Sequence, residues 1–171
     1  MSPQARQNVS VQPLQASDEA EFLAAVARSR ALHRPWVAPP ATAQAYADYL
    51  ARMQPPLNHA WAVKRRSDGA LVGVINLSNI VMGCFRSGYL GYYAFSPYAG
   101  QGLMKAGLQA ALRQAFGVLK LHRLEANIQP DNTASKALVQ SCGFEQEGYS
   151  PKYLKIGGRW RDHERWACRA D

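Results

Sequence analysis

The chain has 171 residues, 47% of them apolar and 19% charged, with a formal net charge of +8. This excludes a disordered or fibrous chain, and the length fits one domain, residues 1–171, with a full core. Three cysteines, Cys84, Cys142 and Cys168, have neither a pairing pattern nor zinc spacing, so no disulfide framework and no metal are expected.

No apolar stretch is long enough to span a bilayer. Met1 to Val11 is polar and lacks the apolar core of a signal peptide, so no membrane association and a cytoplasmic location are expected. The positive charge suits a polyanionic cofactor, an RNA-rich partner such as a ribosome, or plain solubility. Its densest region is Lys152, Lys155, Arg159, Arg161, Arg165 and Arg169, interrupted by Asp162 and Glu164. That alternation reads first as a solvated strand face.

In chain order, Val9 to Leu14 reads as a first strand. Ser17 is placed to cap a helix opening with Asp18 and Glu19, whose charges suit a helix N-terminus, with Phe22, Leu23 and Val26 facing the core. Pro35, Pro39 and Pro40 break the chain, and Thr42 caps a second helix carrying Tyr46, Tyr49, Leu50 and Met53 on one side. Trp61 to Lys64 and Leu71 to Leu77 form a hairpin about Ser67-Asp68-Gly69. A loop over Asn79 to Ser87 leads to the strand Gly88 to Phe95, closed by Ser96-Pro97.

The turn Tyr98-Ala99-Gly100-Gln101-Gly102-Leu103-Met104 then precedes a helix with a Leu108, Ala111, Leu112, Ala115, Leu119 stripe. Glycines without Cβ atoms and a helix N-terminus together make a phosphate cradle. A Rossmann turn does not fit, because Lys105 occupies the third glycine position and no ribose-binding acid follows. A Walker loop does not fit either, since no Gly-Lys-Ser/Thr follows the turn.

Beyond it, Leu121 to Ile128 reads as a strand and Thr133 to Gln140 as a short helix. Asp131 or Asn132 can cap that helix, and Gly143 and Phe144 follow it. Cys142, before the helix-ending glycine, reads as a packed thiol. Strands Gln146 to Ile156 and Arg161 to Cys168, joined through Gly157-Gly158, close the chain. The fold class is α/β (α+β), a largely antiparallel sheet flanked by helices.

Ala99-Gly-Gln-Gly-Leu-Met104, Leu121-His-Arg-Leu-Glu-Ala-Asn127, Pro130-Asp-Asn-Thr-Ala-Ser135 and Cys142-Gly-Phe144 resemble the GNAT acetyltransferase superfamily. Gly148-Tyr149, Tyr153-Leu154 and Gly158-Arg-Trp-Arg-Asp-His163 resemble its RimJ/RimL branch of ribosomal-protein N-terminal acetyltransferases. The resemblance implies a sheet whose two central strands splay, with acetyl-CoA entering from one side and the amine from the other. It implies that main-chain amides on the strand ending at Phe95 stabilise the oxyanion. It also implies that Ala99, Gly100, Gln101, Gly102, Leu103 and Met104 hold the pyrophosphate and that Asn132 contacts the cofactor arm.

Ala99 and Met104 depart from the family pattern, which has Arg or Gln and Gly or Ala there, so one phosphate contact is lost or moved. Ser135 matches a serine that assists the leaving sulfur. Val139 stands where many members carry a tyrosine acid. Glu125 lies where relatives have a general base, with pairing to Arg123 as the alternative. Trp36 and Tyr92 would line the acceptor side. Trp160, Asp162 and His163 read as a C-terminal brace.

The implied acceptor is a protein N-terminus, perhaps ribosomal in origin, or a small amine. An α-amine, with pKa about 7.7–8.0, is roughly a tenth neutral at pH 7, whereas a lysine near about 10.4 offers about one part in a few thousand. A site with a modest base therefore suits the α-amine. A non-catalytic acyl-CoA sensor is a third reading.

Overall fold

A computed structural model describes residues 8–170. Strand β1 (Val9–Pro13) leads through a 3-10 turn at Ala16–Asp18 into α1 (Glu19–Arg28), followed by the short α2 (Arg30–His33) and by α3 (Ala43–Arg52). The expected Ser17 cap does not form. Instead Asp18 turns back and accepts the Gln15 main-chain N–H at 2.9 Å, because the 3-10 turn starts the helix one turn earlier. Thr42 does cap α3, accepting from the Ala45 N–H at 3.2 Å.

The hairpin is β2 (His59–Arg65) and β3 (Leu71–Val81), and β3 outlasts its expected end at Leu77. After β4 (Ser87–Ala94), α4 (Leu103–Arg113) is regular only to Arg113 and closes with a π turn at Gln114–Val118. Then come β5 (Arg123–Ile128), α5 (Thr133–Gln140), β6 (Glu145–Ile156) and β7 (Arg159–Arg169). The α5 bounds are those read from sequence, because Asn132 Oδ1 caps the Ser135 N–H at 3.2 Å and Gly143 takes φ +91° just past the end.

All strands join one sheet in the order β1-β2-β3-β4-β5-β7-β6. Neighbours are antiparallel except β4 and β5. Those two pair only at Ser87↔Arg123, Gly88↔Leu124 and Tyr89↔Glu125. Past Tyr89, β4 stays with β3 as far as Ala94↔Gly73, and β5 stays with β7 as far as Ile128↔Glu164. The centre of the sheet is therefore split.

Period-two alternation sends side chains to opposite faces. One face, with Val63, Ile75, Leu77, Leu124, Ala126 and Trp166, packs on α4 and α5. The other, with Ala62, Leu71, Val74 and Tyr93, packs on α1 and α3 through Phe22, Tyr46 and Tyr49. Trp61 is a core residue.

Candidate active site

A cavity of about 830 Å³ runs through the split between β4 and β5. Strand alternation assigns its walls to the two sheet faces. Tyr92, Ser135 and Asn132 lie on the α5 side. Tyr49, Asn76, Tyr93, Asn127 and His163 lie on the α3 side, with Trp36 and Arg52 also lining the cavity.

The main chain of β4 supplies donors to the split. The Phe95 N–H donates to the Val72 carbonyl at 2.8 Å. Antiparallel pairing alternates, so Tyr93 and Gly91 also face β3, while the amides of Tyr92 and Ala94 face the gap. The Ala94 carbonyl on that side is held by His33 Nε2 at 2.7 Å. Phe95 itself is therefore not a donor to a ligand. Its amide is spent and its ring is fully buried between Phe22, His33 and Tyr93.

Tyr92 also departs from expectation. Its side chain turns to the α5 face, where its hydroxyl lies 2.5 Å from Ser135 Oγ and 3.1 Å from the Ser135 carbonyl oxygen. Burial pushes the phenol pKa well up, so it stays protonated. Val139, where a tyrosine acid was sought, is fully buried core. The phenol beside Ser135 comes from β4 instead.

Glu125 is absent from the cavity wall. Its carboxylate pairs with Arg123 at 3.0 Å, and Arg123 bridges on to Glu147 at 2.7 Å. The alternative reading of Glu125 is thus the observed one. Its strand neighbour Asn127 reaches the cavity in its place, and the Asn127 Oδ1 is buried without a hydrogen-bond partner. The Tyr93 hydroxyl is buried as well, against the Tyr49 hydroxyl, which in turn bonds to Asn76. Burial raises the Tyr49 pKa to about 12 and that of Tyr93 well above its ordinary value. Among the described residues no carboxylate lines the cavity. Arg52 lines it and makes no ion pair among the described residues.

At the far end of β4, Gly100 and Gly102 both take φ +76° with nothing within 4 Å of a would-be Cβ. Ala99 and Gly100 form a turn, the amides of Gly100, Gly102, Leu103 and Met104 donate to no acceptor among the described residues, and the first bond of the helix is Ala106 N–H to the Gly102 carbonyl at 3.1 Å. A row of free N–H groups at the positive end of α4 is an anion cradle. The diphosphate of a coenzyme fits this donor set. Met104 sends its side chain the other way, so tightly against Gly73 that a Cβ on that glycine would clash with its sulfur. The Gln101 side chain folds back to the Pro97 carbonyl at 2.8 Å.

Residues 8–145 match the Acetyltransferase (GNAT) domain family. The chain belongs to that family. It is 45% identical over 93 residues to the [ribosomal protein uS5]-alanine N-acetyltransferase of Escherichia coli, covering 54% of this chain and 48% of that protein. It is 27% identical over 95 residues to the spermidine N(1)-acetyltransferase of Vibrio cholerae, covering 56% of this chain and 54% of that one. The Mycobacterium smegmatis RimJ structure in complex with CoA-disulfide superposes with a TM-score of 0.87 at 27% identity, over 95% of this chain and 82% of that one. The chain spans less than two thirds of the length of the curated relatives it matches.

Within the GNAT frame, the Met104 departure has a structural account. The side chain is core, and only the main-chain amide faces the cradle. Ala99 offers no side-chain donor, so the cradle rests on main-chain groups. Trp36, expected on the acceptor side, and Asn132, expected at the cofactor arm, both line the cavity. Sequence reading missed Tyr49, Arg52, Asn76 and Asn127, because nothing in their local sequence says which way a strand or helix residue points. Cys142 is a half-buried thiol whose pKa is raised by burial, a packing role.

Proposed function

We propose that the chain is an acetyl-CoA-dependent N-acetyltransferase acting on the N-terminal α-amine of a protein, with residues 1–171 forming a single catalytic domain. Coenzyme A would bring the acyl group as a thioester. The amides of Gly100 to Met104 would hold its diphosphate, and Asn132 and Ser135 would border its arm. The amides of Tyr92 and Ala94 would stabilise charge on the carbonyl oxygen. Ser135, with Tyr92 behind it, would give a proton to the departing sulfur.

The observation that carries the acceptor assignment is the missing carboxylate. A site for a polyamine has to offset several ammonium charges, and this cavity offers Arg52 and neutral polar groups instead. A peptide N-terminus brings one ammonium that loses its proton near neutrality. The positive net charge further suits an acceptor in the RNA-rich setting of a ribosome. Cys84, Cys142 and Cys168 form no disulfide, which suits a reducing compartment such as the cytoplasm.

The second reading, a small-amine acceptor, is favoured by the likeness to the spermidine enzyme. Coenzyme A release measured against an N-terminal peptide panel and against spermidine separates the two. Turnover of peptides at the α-amine is expected. Turnover of spermidine alone would overturn the peptide assignment, and coenzyme binding with no turnover of any amine would mark a sensor.

A further inference from the structure

His163 belongs to β7, is 3% exposed and lines the cavity on the same sheet face as Asn127. Its Nδ1 lies 2.9 Å from the Arg161 carbonyl oxygen. A carbonyl can only accept, so the proton of the neutral ring sits on Nδ1. Nε2 then carries the lone pair, and no protein group among the described residues bonds to it.

The other cavity groups do not compete for a proton. Burial raises the pKa of Tyr49, Tyr92, Tyr93 and Tyr153, so these phenols are not bases near neutrality. Glu125 is committed to Arg123. The charged and titratable groups around His163 are Arg161, Asp162, Glu164 and Arg165 on its own strand and Tyr153 on β6, whose ring centroid is 6.2 Å away. Asp162 is occupied by the Tyr149 hydroxyl and the Lys152 N–H. Glu164 is occupied by Lys136 and the Trp166 indole.

We propose that His163 Nε2 is the base that takes the proton from the acceptor ammonium, with the orphaned Asn127 Oδ1 accepting a second N–H to aim the nitrogen. This deepens the acetyl-transfer reading and rests on it. The ammonium N–H bond breaks, its proton forms a bond to Nε2, and the nitrogen keeps the electron pair. The imidazolium returns that proton to water through the open cavity. The neutral nitrogen forms the C–N bond as the C–S bond breaks. The nitrogen loses one more proton, and the sulfur gains one through Ser135, so the products are amide, thiol and one solvent proton.

The test uses the full chain with H163Q and H163N, each checked by thermal melt. It compares kcat/KM against pH with whichever amine the wild type turns over. At pH 7 both folded variants are expected to lose at least about tenfold, the low end of what a positioned base contributes being about a hundredfold. The deficit should shrink as the pH passes the pKa of the amine used, about 7.7–8.0 for an α-amine and about 10.4 for an alkylamine, while coenzyme A affinity by calorimetry stays unchanged. A loss that is uniform across pH, or no loss, would overturn the proposal and leave His163 a brace.

A second readout needs no turnover. Nitrogen-15 NMR of the wild type should show the Nδ1–H tautomer, and the Nε2–H tautomer would overturn the proposal. Turnover of spermidine but not peptides would sink the peptide reading alone, since the same pair of pH profiles would still judge His163.

Discussion

Tyr92 of β4 and Ser135 of α5, 43 residues apart in sequence, meet with their hydroxyl oxygens 2.5 Å apart on the α5 side of the split. The pair joins the strand that carries the free amides to the helix that Asn132 caps. The Tyr92 hydroxyl also donates to the Ser135 carbonyl oxygen at 3.1 Å, and within the hydroxyl pair either oxygen can be the donor.

Because the two hydroxyls act as one unit, their losses should not add. Y92F and S135A are each expected to lower kcat by roughly tenfold to a hundredfold, on the scale of general acid catalysis. The double variant should be no worse than the weaker single variant. Steady-state kinetics at saturating acetyl-CoA measures this, and additive losses would separate the two residues.

Gly102 has φ +76° and open space where a Cβ would go. G102A is expected to cost about 1 kcal/mol in stability from the left-handed backbone. It should also weaken coenzyme A binding by about tenfold, equivalent to about 1.4 kcal/mol, because the methyl group covers the free amides. The control is G69A, at φ +74° in the β2–β3 turn and equally unobstructed. It should show a similar melt and an unchanged calorimetric affinity.

The pairing of Glu125 with Arg123 makes E125Q a stability variant. Loss of the pair is expected to lower stability by about 1 kcal/mol or less, with kcat within about threefold of wild type. A fall of about a hundredfold, typical for loss of a base, would return the catalytic role to Glu125.

His33 should make stability depend on pH with a definite sign. Its pKa is held below 6.5 by burial, partly offset by its bond to the Ala94 carbonyl. The unfolded chain therefore binds the proton first as pH falls, and stability is fully present above 6.5 and declines below it. His59, also lowered by burial, adds to the same slope. Denaturant unfolding should show stability falling between pH 7.5 and 5.5, and H33Q should flatten that slope without abolishing it.

Sequence patterns carried much of this fold because the signals were local. Asn132 and Gly143 bracket α5 with cap chemistry, and Ser67-Asp68-Gly69 marks its hairpin. The glycine turn before α4 follows from Gly100 and Gly102 alone. The misreadings needed long-range facts. Whether Phe95 or Ala94 offers its amide depends on β4's pairing phase with β3. Which face Tyr92 takes depends on the same register. Glu125 was placed on the right strand, but Arg123 and Glu147 had to be seen together to show where its charge goes. Asp18 displaced the Ser17 cap because a 3-10 turn and an α-helix start look alike in sequence. His163 was read only as a brace, since its value rests on a carbonyl two residues back and a cavity built by β4, β5 and β6.

The most direct measurement is a crystal structure of the chain with coenzyme A. The diphosphate should lie within hydrogen-bond reach of the Gly100 to Met104 amides, with the sulfur between β4 and β5 beside Ser135. A coenzyme found on another surface, or one whose sulfur stays outside the split, would contradict the account.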